Sequence, residues 1–179
     1  RAFTLPEGFC RDRVILHIGA ADQTAIVYCN GNFVGEHSGG YDPFSFDITA
    51  YLSDENVIEV QVADDLNSAV LPYGKQKYKR GGMWYTPVSG IWQTVWLESV
   101  PTEYVRGLEV TTDANGATIH AHGVADGIVS VTTPDGVIEC ALQDGVARVD
   151  LPSPRLWCPE DPYLYEYTVK TAEDEVKSY

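Results

Sequence analysis

The chain has 179 residues, 44% hydrophobic and 21% charged, which fits one large domain or two small ones of ordinary globular composition. Twelve Lys and Arg against 26 Asp and Glu leave a formal charge of −14, and the one small basic cluster, GKQKYKR, is too little to make a nucleic-acid face. No apolar run is long enough to cross a bilayer as a helix, so nucleic acid and membrane both fall away as partners, while a neutral glycan is indifferent to the charge.

In chain order the elements read as strands. RVILHIG (13–19) and TAIVYCN (24–30) are β-branched runs that fit strands buried on both faces. Asn30-Gly31 supplies the positive φ angles of a tight hairpin turn into FVGEHS. PFSFDIT follows, and TAYL offers one helical turn. In NVIEVQVAD, Ile58, Val60 and Val62 alternate with Glu59 and Gln61, which predicts one buried and one wet face. Between Asp64 and Ile91 the pattern breaks on Pro72, Gly74, Gly81, Gly82, Pro87 and Gly90. A connection that long is usually functional or disordered, and the aromatics Tyr73, Tyr78, Trp84 and Tyr85 within it argue against disorder. IWQTVWLES is the next predicted strand, with Ile91, Gln93, Val95 and Leu97 on one face and Trp92, Thr94 and Trp96 on the other.

Beyond Pro101 come EYVRGLEVTT, ATIHAHG, GIVSVTT, VIECAL, VARVDL and YLYEYTVKT, separated by turn signals such as DANG and PDG. No segment sustains a helical period. The expected architecture is all-β: a jelly-roll-like β-sandwich over 1–101, then an immunoglobulin-like β-sandwich over 102–179 that stops near its last strand. The chain opens at Arg1 without an initiator Met, which reads as a processed or cut end.

The search for chemistry is mostly negative. No nucleophile elbow, phosphate loop or dinucleotide fingerprint is present. Cys10, Cys29, Cys140 and Cys158 are widely spaced with no C-x-x-C, and are expected to be free thiols. His120 and His122 project from one strand face but lack further ligands nearby, so they read as a solvated face. DANG lacks the later ligands of a calcium loop and reads as a turn. No metal or cofactor is expected. Glycosidases need two carboxylates, held about 5–5.5 Å apart in retaining enzymes, but the acidic residues here fall in turns and no pair stands out. Aromatics remain. Tyr73, Lys75, Gln76, Trp84 and Tyr85 form the mixture that contacts sugars, with aromatic faces for C–H surfaces and polar groups for hydroxyls. The same aromatics could equally cap the core of their own sandwich. Trp92 and Trp96, on a strand, read as core or domain-interface residues.

At this point the pieces resemble a known family. NGNFVGEHSGGYDPFSFDIT, VIEVQVAD and GGMWYTPVSGIWQTVWLESVP resemble the sugar-binding domain of glycoside hydrolase family 2, which includes β-galactosidases, β-glucuronidases and β-mannosidases. YVRGLEV and LPSPRLWCPEDPYLYEYTV resemble the immunoglobulin-like sandwich that follows it. The resemblance implies that the chemistry belongs to a (β/α)₈ barrel, whose acid/base Glu follows an Asn; this chain contains no Asn-Glu dipeptide. It therefore implies a chain without catalytic residues of its own, partnered by its own barrel and acting near a glycan. One departure bears on specificity. Some β-galactosidases of the family place a sugar-contacting Asp just before the Met-Trp, where this chain has Gly82.

Overall fold

The computed structural model describes every residue except 67–69, 71 and 73. It is all-β, and divides into two compact units, Arg1–Val100 and Pro101–Tyr179.

In the first unit, β1 (Ala2–Phe3), β2 (Arg13–Ile18), β3 (Ala21–Asp22), β4 (Thr24–Cys29), β5 (Asn32–Ser38), β6 (Phe44–Asp47), β7 (Asn56–Ala63), β8 (Gly90–Ile91) and β9 (Val95–Val100) form three antiparallel sheets. Their orders are β1-β7-β4-β5, β6-β2-β9 and the small pair β3-β8. Val14, Leu16 and Ile18 of β2 share one core with Ala25, Val27 and Cys29 of β4. In β4 the inward residues are separated by half-buried Thr24, Ile26 and Tyr28, so the strand alternates instead of being buried on both faces. In β7 the alternation of Ile58 with Glu59 is as expected. The hairpin between β4 and β5 turns on Asn30 (φ 51°) and Gly31 (φ 78°). TAYL supplies a single 3₁₀ turn, Thr49–Tyr51.

The predicted strand IWQTVWLES is two short strands. Ile91 pairs with Ala21, whereas Val95–Val100 pairs with β2, and Trp92–Thr94 bridges from one sheet to the other. The core reading of its tryptophans is corrected by this break. Trp92 is 53% exposed and its indole N–H donates to Gly40 O at 2.8 Å. Trp96 is 44% exposed and stacks on His17 across the outer face, with ring centroids 4.7 Å apart.

The second unit holds β10 (Gly107–Asp113), β11 (Gly116–His122), β12 (Gly127–Thr133), β13 (Gly136–Leu142), β14 (Val146–Asp150), β15 (Tyr167–Lys170) and β16 (Glu175–Ser178). The sheets β10-β11-β14 and β13-β12-β15-β16 enclose a core of Ile119, Val149, Val129, Val131, Leu142 and Val169. YLYEYTVKT is strand only from Tyr167. Tyr163 and Tyr165 instead pack edge-to-face at 5.0 Å, and Tyr165 Oη accepts from the Arg155 amide.

All four cysteines are free, with Cys29 and Cys140 inside strands. His122 lies on an exposed face, its Nε2 3.8 Å from Glu109.

Candidate functional site

The long connection between β7 and β8 is organised by its own backbone. Gln76 bridges to Tyr85, the Tyr85 amide donates to Lys75 O at 2.8 Å, and Gly81 bridges to Trp84 across a tight turn. Gly82 holds φ +57°, in the left-handed region that glycine enters without penalty. The structure therefore brings Lys75, Gln76, Trp84 and Tyr85 together; Tyr73 lies outside the described residues.

Each of these side chains has a distinct situation. Gln76 is half-buried and its Oε1 accepts from the Val88 amide at 2.6 Å, so it ties the connection to the segment before β8. Trp84 is half-buried with Lys77 Nζ 3.9 Å above the ring centroid, a cation–π contact that covers one indole face. Tyr85 is 68% exposed, and Lys75 is exposed. Arg80 donates to Thr86 Oγ1 at 3.1 Å. Together these side chains form an aromatic and cationic ledge, with Tyr85 and Lys75 exposed and Gln76 and Trp84 half-buried.

A second group of side chains escapes sequence reasoning. The β3–β8 pairing sets Asp22 opposite Gly90, and the Gly39 amide, donating to Gln23 O at 2.9 Å, brings Gly40 and Tyr41 alongside. Trp92 completes the group, meeting Tyr41 edge-on at 6.1 Å. Nothing local in the sequence signals this convergence, because two-residue strands carry no periodicity.

Among the described residues, no group of three or more His, Cys, Asp or Glu could hold a metal ion. No helix among them is long and apolar enough to cross a membrane.

Residues 1–101 match the family model for the glycosyl hydrolases family 2 sugar binding domain, and residues 99–179 match that of glycosyl hydrolases family 2. The chain belongs to glycosyl hydrolase family 2. It is 29% identical to a β-galactosidase of Thermoanaerobacter pseudethanolicus, aligned over 97% of this chain and 26% of that protein. It is 31% identical to a β-glucuronidase of Rattus norvegicus, over 97% of this chain and 32% of that one. The chain thus spans about a quarter to a third of the length of these relatives. Its fold superposes on the crystal structure of Ruminococcus gnavus β-glucuronidase in complex with uronic isofagomine with a TM-score of 0.77. That match has 24% identity and covers 99% of this chain and 33% of that one. The chain corresponds to the sandwich part of a family 2 enzyme, and its described residues form no catalytic barrel.

Proposed function

We propose that this chain is the non-catalytic sandwich part of a retaining β-glycosidase of the β-galactosidase type, which supports the barrel and shapes its substrate entrance. The observation that carries this reading is the succession of two family 2 models along a chain that spans at most about a third of its relatives. The parent protein hydrolyses O-glycosyl bonds, and this chain supplies no catalytic residue to that step. Lys75, Gln76, Trp84 and Tyr85, with Tyr73, are the residues offered to the sugar. Exposed Leu156, Trp157 and Leu164 in the second unit support the part-of-a-larger-protein reading, since such apolar groups commonly mark contact surfaces.

The test is hydrolysis of aryl β-galactosides and β-glucuronides by the purified 179-residue chain. No turnover is expected. Turnover that survives removal of contaminating enzymes would overturn the non-catalytic reading.

A second reading, an autonomous carbohydrate-binding module, is favoured by the exposure of Tyr85 beside Trp84. It requires that Trp84→Ala abolish sugar binding while the far-ultraviolet circular dichroism of the chain stays unchanged.

A further inference from the structure

A cavity of about 260 Å³ opens in the first unit between β3, the β5–β6 connection and the entry to β8, lined by Asp22, Gly40, Tyr41, Ser89, Gly90 and Trp92. It adjoins the ledge through Val88, which also lines it and whose amide donates to Gln76 Oε1, but Lys75, Gln76, Trp84 and Tyr85 do not themselves line it. Its volume lies near the lower limit of small-molecule pockets, with room for about one ring.

Three features define what fits. First, the aromatic wall is rigid on one side: the Trp92 indole is pinned by its bond to Gly40 O, and Tyr41 meets it edge-on with 72° between the ring planes. This leaves open aromatic surface to one flat apolar face and does not build the enclosing box that a quaternary ammonium ion prefers. Second, the floor is kept thin. A Cβ on Gly40 would stand 2.7 Å from Asp22 Oδ1, so the carboxylate lies directly over bare backbone. Third, the Asp22 carboxylate accepts hydrogen bonds and donates none while ionised. Burial, and then the charge of Asp64, push the Asp22 carboxyl above its ordinary value. Asp64 in turn has a buried Oδ1 with no hydrogen-bond partner among the described residues, so this corner carries negative potential poorly relieved by the protein.

We propose that this cavity binds one neutral hexopyranoside, with the C–H face of the ring against Trp92 and Tyr41 and ring hydroxyls donating to Asp22, and that it rejects hexuronates. Hydroxyl donors satisfy a carboxylate in a way a second carboxylate cannot, and like charges placed together supply the discrimination. The inference stands apart from the reading of the Trp84 ledge and makes the opposite demand on Trp84.

The experiment is a nuclear magnetic resonance titration of the full chain with methyl β-galactoside, methyl β-glucoside and methyl β-glucuronide at neutral pH, following the Trp92 indole N–H and the Tyr41 amide. Both signals are expected to shift saturably with the neutral glycosides, and the glucuronide to bind weaker by on the order of tenfold. Tyr41→Ala and Asp22→Asn each weaken the neutral sugar by about fivefold or more, and Trp84→Ala leaves it unchanged. Tyr41 is 60% exposed, so its removal spares the fold, and Asp22→Asn keeps the shape of the side chain. Absence of any shift up to the solubility of the sugars overturns the proposal. So does equal binding of the glucuronide, tighter binding of tetramethylammonium, or loss of the signal with Trp84→Ala alone. In the last case the ledge survives as a sugar site and the cavity does not.

Discussion

Replacing Asn56 by Ala should unseat one corner of the first sandwich. The side chain is 1% exposed and completes three hydrogen bonds. Its Nδ2 donates to Ser53 O at 2.8 Å, and its Oδ1 accepts from the Ser53 amide at 2.8 Å and from Asn30 Nδ2 at 3.0 Å. Asn30 also donates to Tyr51 O and accepts from the Val57 amide, so the two asparagines join the β4–β5 turn, the 3₁₀ turn and the start of β7. At about 1 kcal/mol net per bond, the loss sums to about 3 kcal/mol. Ser53 itself is exposed, so water can reach its freed backbone groups, and the expected cost falls to about 2–3 kcal/mol. For a unit of this size that lowers the midpoint of thermal unfolding by about 10–20 °C. The assay is thermal and urea unfolding followed by circular dichroism, with Val57→Ala, an outward neighbour on the same strand, as the reference substitution. A cost for Asn56→Ala within about 0.5 kcal/mol of that reference would refute the claim that this network fixes the corner.

Two further outcomes test the packing and the electrostatics. Gly35→Ala places a Cβ 2.2 Å from Phe46 Cε1, and displacing that ring should cost about 1–3 kcal/mol in urea unfolding; an unchanged midpoint would show that Phe46 yields freely. In the second unit, hydrogen bonds from Arg148 hold the Asp113 carboxyl below its ordinary value of 3.8. A depressed carboxyl contributes stability that is present above its unfolded-state value and lost as pH falls through the folded one. Arg148→Ala should therefore lower the thermal midpoint at neutral pH and shrink its fall below pH 3.8, and parallel profiles for the two proteins would sink the assignment.

What was legible in the sequence was local. The alternation in NVIEVQVA and the Asn30-Gly31 turn each depend on neighbours a few residues apart, so the pattern and the structure report the same forces. IWQTVWLES misled for the opposite reason. Its composition is uniformly strand-like, but two partners compete for it: Ala20–Ala21 takes Ile91 and the Trp92 amide, while β2 takes Val95 onward. The crossing between them exposes Trp92, which no alternation rule anticipates. The cavity beside Asp22 was invisible on the same account, since each of its walls arrives from a different part of the chain.

The ledge on the long connection shows why residue type alone underdetermines a site. Gln76 and Trp84 both belong to the mixture that contacts sugars, yet the Gln76 carbonyl is occupied by the Val88 amide and one Trp84 face by Lys77. On the function proposed above, Tyr85, with more than half of its surface open, is the first side chain a ring would meet, with Gln76 and Trp84 engaged behind it. Lys77 gives that division a physical handle. A cation over an indole is worth about 0.5–1 kcal/mol at an exposed site, little enough for a stacking sugar to displace, so Trp84 would engage a ligand only after releasing Lys77.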